Sequence, residues 1–500
     1  MPWRSRLVKR KLLFLVHVGL MMAASAVVHA DESWDAIYLG GSKIGFIHAS
    51  VEKVVDRGKD RLRVRIEIEQ KLLRGNDISD TKLSYETIET LSGQVVKLDT
   101  RTLAGNDNRE LRTYGDLYRG KMNLILDGAG KQQKLQIPWG PEVRGPYAAE
   151  QSLARQPLAE NEKRSLKMFM PDLNRICELQ LQARGFERVV VADKTYRSLL
   201  RVEQTHKVDG KRRPELDATL WVDTKGQVLK SEQDVLGGIV IYRTTEEAAK
   251  SNEGPIQFDL IKNTIIKVAS KIPTPGQTRY AKYRLTLKDG VLSELIPNDP
   301  RQRLQPGPTK NTGTLEVKSI GRSDGAPGPA KVDSQFTKPN ALVTSQDSQV
   351  RRLTLRATKD IVDPWHKAEL INHFVFESIR DKNFGIAFAV ASEVARNLSG
   401  DCTEHSLLAA AMYRSAGIPS RVAVGVIYVE AHGGFGYHMW NEIYINGRWI
   451  ALDPTWDQAT VDAVHIKLSD SSLEGVSPFE TFMPVLRVSG KLDIEPIEIR

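Results

Sequence analysis

Hydrophobic and polar residues alternate along much of the first half of the chain. Between Arg61 and Glu69, apolar residues occupy positions 62, 64, 66 and 68, and charged residues occupy the positions between them. This period of two is the pattern of a β-strand with one buried face. Similar runs recur from Trp34 to about Thr245, with one predicted helix at Tyr147–Gln156. The pattern predicts a β-rich domain at residues 31–250, built on an antiparallel sheet with one face in water.

The pattern changes twice after this domain. Residues 251–320 hold two strand-like runs, Arg279–Leu287 and Thr314–Val317, separated by turn residues, and indicate a small β domain. Residues 321–340 are rich in Gly, Pro, Ser and Asp, a composition typical of a linker or an exposed loop.

The C-terminal region, residues 341–500, begins with helical patterns. Asp363 followed by Pro364 marks a helix start, and a shorter helix is predicted at Phe388–Arg396. A strand is predicted at Ser420–Tyr428, and a hairpin follows it. Helices first and an antiparallel sheet afterwards favour an α+β domain. The predicted chain is therefore multidomain, mainly antiparallel β in its first part and α+β in its last.

Asp401 marks another helix start. Asp401 and Glu404 have the spacing of a capping box, which places Cys402 in the first turn of a helix that ends near Gly417. Unpaired backbone N–H groups and the positive end of the helix dipole favour a thiolate at that position. We therefore expect Cys402 to be a nucleophile whose pKa lies below the free-thiol value of about 8.5.

The dipeptide Asn446-Gly447, between two apolar-rich runs, predicts a β-hairpin with a two-residue type I′ loop. That register places Asp453 on the same face as His438 and one diagonal step away, about 7–8 Å between backbones. Glu442 shares the face but lies about 13 Å along the strand, too far to orient the imidazole. A thiol, a histidine and an aspartate so placed form a nucleophile, a base and an orienting carboxylate.

Three motifs carry a resemblance to a known family: GDCTEHS at 400–406, GIPSR at 417–421 and YHMWNEIYINGRWIALDPT at 437–455. In this order they resemble the transglutaminase-like superfamily, whose fold is related to that of papain. The resemblance covers residues 400–455 strongly and residues 342–486 loosely. It implies a papain-like α+β domain with Cys402 as the nucleophile, His438 as the base and Asp453 as the orienting residue.

Other histidines near these motifs offer alternatives. His405 lies three residues after Cys402 on the same helix and is a rival base, although no carboxylate is placed to orient it. A zinc site is a second alternative, with Cys402, His405, His432 and His438 as the ligands. Their spacing, however, matches no structural zinc pattern. No metal and no cofactor are therefore predicted.

Acyl transfer also needs two donors for the oxyanion, and the backbone N–H of Cys402 supplies only one. The amides between Arg380 and Cys402 are Asn383 and Asn397, and neither has a spacing that assigns it as the second donor.

The first 30 residues have the features of a secretory signal peptide. Five basic residues precede the apolar run Leu12–Val28, and Val28-His29-Ala30 is a small-residue cleavage pattern. We predict an exported bacterial protein, periplasmic or secreted; the alternative is an uncleaved signal that anchors the chain to the membrane. Without the first 30 residues, the chain has 66 basic and 62 acidic residues, so its net charge is +4 instead of +9. No basic cluster with interleaved aromatics is visible, so nucleic-acid binding is not expected.

The chain has two cysteines, Cys177 and Cys402. In an oxidising compartment an even count suggests a disulfide. Cys402 has the stronger claim as a free thiol, and the apolar surroundings of Cys177 in Leu173–Gln180 favour a buried core position.

The signal-peptide features predict export, and the resemblance implies a transglutaminase-like cysteine enzyme, an acyltransferase or peptidase that acts on carboxamide or peptide bonds through a thioacyl intermediate. Transamidation, deamidation and hydrolysis share that intermediate and stay open. The expected substrate is a protein or peptide, with the cell envelope as one source. The alternative is a non-catalytic binding protein whose transglutaminase-like domain is vestigial and whose β domains recognise a partner.

Overall fold

The computed structural model describes residues 31–75, 77–104, 109–128, 131–322, 331–381, 389–475, 480–481 and 483–500. The predicted signal peptide at residues 1–30 and Asn383 lie outside the described residues, as does part of the predicted linker. The chain divides into two compact units. One contains the segment before Arg74 and Ile78–Asp259, and the other contains Leu260–Arg500 together with Arg74–Asp77.

The N-terminal unit is a large, mostly antiparallel sheet. The predicted alternation is confirmed in its third strand, where Leu62, Val64, Ile66 and Ile68 are at most 3% exposed. The predicted helix is present as α1 (Ala148–Arg155), and a second helix, α2 (Glu246–Lys250), follows the last strand. The strands are β1 (Asp31–Leu39), β2 (Ser42–Asp56), β3 (Lys59–Arg74), β4 (Asp77–Glu89), β5 (Val95–Ala104), β6 (Arg109–Tyr118), β7 (Lys121–Gly128), β8 (Lys131–Pro138), β9 (Val143–Arg144), β10 (Lys163–Met170), β11 (Arg175–Val190), β12 (Tyr196–Val208), β13 (Lys211–Arg212), β14 (Ala218–Val222), β15 (Val228–Gln233) and β16 (Ile239–Thr244).

The C-terminal unit contains six α-helices within the described residues. The predicted Asp363 cap is present: the carboxylate accepts a hydrogen bond from the His366 backbone N–H at 2.9 Å, and Pro364 is the first helical residue. The short helix predicted from Phe388 starts at Ala391, and Phe388 lies outside the described residues. The helices are α3 (Leu260–Thr264), α4 (Ser348–Thr358), α5 (Pro364–Ser378), α6 (Ala391–Asn397), α7 (Cys402–Ser415) and α8 (Met483–Val488).

Two antiparallel sheets complete this unit. The first contains β17 (Ile266–Lys267), β21 (Ser420–Val429), β22 (Gly434–Ile445), β23 (Arg448–Leu452) and β24 (His465–Ser471). The second contains β18 (Tyr280–Leu287), β19 (Gln302–Pro306), β20 (Thr312–Lys318) and β25 (Leu492–Ile499). The small β domain predicted at 251–320 therefore shares its sheet with the end of the chain.

Helix α7 packs against the sheet that contains β21 and β22. Its residues from Cys402 to Arg414 are all buried. Ser420 Oγ donates to the Ala410 carbonyl at 2.9 Å, and Asn441 Nδ2 donates to the Ser406 carbonyl at 2.9 Å. These side chains hold the start of β21 and the middle of β22 against the helix.

Among the residues that the structure describes, no helix combines the length and the apolar character needed to cross a bilayer.

Candidate active site

The predicted capping box at the start of α7 is confirmed. Asp401 Oδ1 accepts a hydrogen bond from the Thr403 N–H at 2.8 Å, and Glu404 Oε2 accepts one from the Asp401 N–H at 3.1 Å. Gly400 allows this packing: its φ is +140°, and a Cβ at that position would lie 2.4 Å from the Glu404 Cβ. Position 400, just before the capping box, therefore tolerates only glycine. Cys402, the residue after the cap, is the first residue of the helix.

The predicted hairpin is also confirmed. Asn446 and Gly447 have φ values of +52° and +76°, the positive values that a type I′ loop requires. Ile445 pairs with Arg448, and the register continues without a shift to the last pair, Asn441 with Leu452. This register brings the residue after β23, Asp453, alongside the part of β22 that holds His438.

His438 and Asp453 form a hydrogen-bonded pair. Nε2 of His438 lies 2.7 Å from Oδ2 of Asp453, and both residues are buried. The other carboxylate oxygen, Oδ1, accepts from the Thr455 N–H at 2.8 Å. Burial alone would raise the pKa of Asp453, but His438 and His465 outweigh it and hold the pKa well below its usual value. Asp453 is therefore a carboxylate, able to orient the imidazole.

The thiol of Cys402 contacts the same strand. The backbone N–H of Met439, the residue after His438, lies close enough to the thiol to oppose the rise of its pKa. Cys402 is only 5% exposed. Burial, followed by the charge of Asp401, raises the pKa of its thiol well above the ordinary value. The expectation of a lowered pKa is therefore wrong in this structure, because burial and a neighbouring carboxylate outweigh the helix N-terminus.

Alkylation of Cys402 is expected to accelerate as the pH rises through and above neutrality. The raised pKa leaves the thiol protonated near neutrality, and only the thiolate reacts with iodoacetamide. Cys177 is a matched internal reference, because burial raises its pKa to about 12. Mass spectrometry of the two cysteine peptides after timed labelling at several pH values measures both rates. A Cys402 rate that is independent of pH around neutrality would contradict this expectation.

The rival groups have other partners. Nδ1 of His405 lies 2.6 Å from the Asp401 carbonyl in its own helix, which favours a packing role over that of a base. Glu442 pairs with Lys467 at 2.9 Å and with Arg421 at 2.6 Å.

The zinc set considered from the sequence does not assemble among the described residues. The group there whose ligand atoms lie close together is instead His438, Asp453 and His465, within 4.8 Å of one another. In this group both imidazoles are within hydrogen-bonding distance of one Asp453 oxygen, at 2.7 Å and 3.2 Å, which accounts for the closeness without an ion. Both cysteines are free, so the disulfide alternative is not formed.

Sequence reasoning missed two residues behind Asp453. His465, the first residue of β24, hydrogen-bonds to the Asp453 carboxylate, and Asp462, in the loop before β24, hydrogen-bonds to the other ring nitrogen of His465. No local motif identifies them, since β24 joins the sheet by pairing with β21.

Residues 350–454 match the transglutaminase-like superfamily. The matched region contains Cys402, His438 and Asp453 and ends before His465. The chain thus has a C-terminal transglutaminase-like region, and about four fifths of its length lies outside the match.

Solved structures are similar to parts of the chain at low identity. A proposed cysteine protease from Cytophaga hutchinsonii is 14% identical, over 44% of this chain and 87% of that chain, with a TM-score of 0.29. A β-barrel-like protein of a domain of unknown function from Brucella abortus is 12% identical, over 44% and 98%, with a TM-score of 0.32. A proposed protease from Parabacteroides distasonis is 13% identical, over 73% and 69%, with a TM-score of 0.18. None of the curated proteins matches.

Proposed function

We propose that the chain is a cysteine-dependent acyl-transfer enzyme that acts on carboxamide or peptide bonds. The observation that carries the proposal is the buried 2.7 Å pair of His438 and Asp453, with the Cys402 thiol close to the backbone N–H of Met439, the residue after His438 on the same strand. The match of residues 350–454 to the transglutaminase-like superfamily supports it. Cys402 is assigned as the nucleophile, His438 as the base and Asp453 as the orienting residue.

The reaction begins with a neutral thiol, because the pKa of Cys402 is raised. His438 takes the thiol proton while the sulfur attacks the carbonyl carbon of the substrate. The tetrahedral oxyanion is stabilised in part by the Cys402 backbone N–H at the helix start. Collapse expels the amine, which takes the proton from His438, and leaves a thioester. Water or a second amine then attacks the thioester, loses its proton to His438 and releases the product, and His438 returns the proton to the sulfur.

Transamidation, deamidation and hydrolysis differ only in the leaving group and the acceptor. The acceptor is selected by the walls of the substrate site, so the triad does not separate the three. A non-catalytic binding protein is the competing function, and the 5% exposure of Cys402 favours it.

We further propose that the protein is exported, to the periplasm or beyond the cell, and that its substrate is a protein or peptide, with the cell envelope as one source. The motif-bearing residues 341–500 would then supply the chemistry. The β-rich residues 31–250 would recognise the substrate.

Incubation with a fluorescent primary amine and a glutamine-containing protein is expected to separate these functions. Transamidation attaches the amine to the protein, deamidation releases ammonia without attachment, and hydrolysis cuts the chain. Gel fluorescence, ammonia release and mass spectrometry in one sample measure the three outcomes. Any of them should vanish in Cys402→Ala and persist in Cys177→Ala. Absence of all three in the folded wild-type protein, over a panel of substrates, would favour the binding protein.

A further inference from the structure

A second histidine lies behind the carboxylate that orients His438. Nε2 of His465 is 3.2 Å from Oδ2 of Asp453, the same oxygen that bonds to His438. Nδ1 of His465 is 2.7 Å from Oδ1 of Asp462. The side chains of His465 and Asp453 are completely buried. Two imidazoles and two carboxylates therefore form one row in the interior, in the order His438, Asp453, His465, Asp462.

The geometry defines the protonation of His465. A neutral imidazole carries one N–H, so one of its nitrogens would direct a lone pair at a carboxylate oxygen. Both nitrogens of His465 face such oxygens, and the imidazolium form alone can donate to both. Burial lowers the pKa of His465, but the carboxylates of Asp462 and Asp453 outweigh it and raise the pKa above its usual value.

The second half of the row is held rigidly. Asp462 accepts from Gln458 Nε2 at 2.8 Å through one oxygen and from the Val464 N–H at 3.1 Å through the other. The ring of His465 meets the ring of Trp440 edge-on, with 5.3 Å between centroids. Gly425, on the intervening strand β21, leaves room for Trp440, because a Cβ there would lie 2.9 Å from the Trp440 ring. These contacts hold the His465 ring in one position relative to Asp453.

We propose that His465, held in its cationic form by Asp462, is a positioning residue that acts on His438 through Asp453. The inference rests on the proposed function and deepens it. His465 fixes the position of the shared oxygen, and its positive charge offsets part of the negative charge that Asp453 presents to His438. His438 then releases its proton at a lower pH than it would beside an uncompensated carboxylate. His438 must be neutral to accept the Cys402 proton. With His465 charged, His438 therefore stays neutral down to a lower pH.

The other charged or titratable groups around His465 come from four directions. His438 faces it from β22, with 5.7 Å between ring centroids. Arg301 donates to the backbone carbonyl of His465 at 3.1 Å, and Tyr283 donates to the Ala463 carbonyl beside it at 3.1 Å. Burial, followed by the charges of Asp453 and Asp457, raises the pKa of Tyr413, which therefore stays neutral. None of these four supplies a negative charge, so Asp453 and Asp462 are the two carboxylates that stabilise the imidazolium.

The test compares His465→Gln and Asp462→Asn with the wild type in a pH profile of kcat/KM, using the substrate identified with the fluorescent amine. Both variants remove the positive charge at position 465, one directly and one by removing a stabilising carboxylate. The acid limb of both profiles is expected to move up by about one pH unit. A variant that is folded and slower but keeps the wild-type acid limb would show a merely structural role and overturn the proposal.

A second measurement separates this inference from the proposed function. In Cys402→Ala, ¹⁵N NMR of the histidine rings reports protonation without any turnover. His465 is expected to stay doubly protonated across the range in which His438 titrates, and adding His465→Gln is expected to move the His438 midpoint up. A His465 that loses its proton at or below the His438 midpoint, or an unmoved His438, would overturn the inference even in an active enzyme. If the NMR result is as expected but the wild-type protein shows no turnover, the inference about His465 stands. Only the proposed enzymatic function is then refuted.

Discussion

Replacing Cys402 by alanine is expected to abolish the proposed turnover, with a loss on the order of 10⁶ in kcat, as for the serine nucleophile of a serine protease. Without the thiol, no thioester can form and His438 has no proton to accept. The fold should persist, because alanine has a high helix propensity and the cap at Asp401 and Glu404 does not use the thiol. Initial rates on the identified substrate and circular dichroism measure the two effects.

Cys177→Ala is the matched control. Cys177 is also buried and free, and burial raises its pKa to about 12, so its removal deletes a thiol of low reactivity in the N-terminal sheet. Turnover should stay near the wild-type rate. Full activity in Cys402→Ala, or its loss in Cys177→Ala with the fold retained, would refute the assignment of the nucleophile.

Asp453→Asn is expected to lower kcat by about 10⁴, the effect of the same change in a serine protease triad. The wild-type carboxylate accepts from the Thr455 N–H through one oxygen and faces two imidazoles with the other. An asparagine that keeps the Thr455 bond would turn its NH₂ toward both rings. His438 would then present a lone pair at Nε2 and hold its proton on Nδ1, the wrong tautomer for a base. Steady-state kinetics at the optimum pH of each protein measures the loss.

Glu442→Gln is the control for this change, since Glu442, like Asp453, is a buried carboxylate, and it lies on the same strand as His438. It pairs with Lys467 and Arg421, which lower its pKa to about 2 in spite of burial. Removing this charge should cost about 3 kcal/mol in the free energy of unfolding, because Lys467 and Arg421 lose a buried partner. Turnover of the folded fraction should stay within a few-fold of the wild type. Urea denaturation measures the first effect, and a loss of turnover as large as that of Asp453→Asn would contradict the division of roles.

The features of the site that the sequence alone determined are those that neighbours in the chain control. The capping box needs residues three apart, and the hairpin needs two residues that accept positive φ. Because the side-chain period of a strand is two, the loop then decides which residues of β22 and β23 share a face. The pairing of His438 with Asp453 follows from that register. The alternation in β3 is of the same kind, since its pattern is local.

Only the tertiary structure decided how these residues behave. The pKa of Cys402 depends on burial and on the charge of Asp401, and burial is a property of the packed unit that the helix-start argument could not include. The addition of β25 to the sheet of β18, β19 and β20 joins segments that are far apart in sequence. His465 reaches Asp453, and Asp462 reaches His465, although β24 pairs with β21 on the side away from β22. Such long-range pairings leave no periodic signal in the chain, because they are selected by the burial of whole faces and not by adjacent residues.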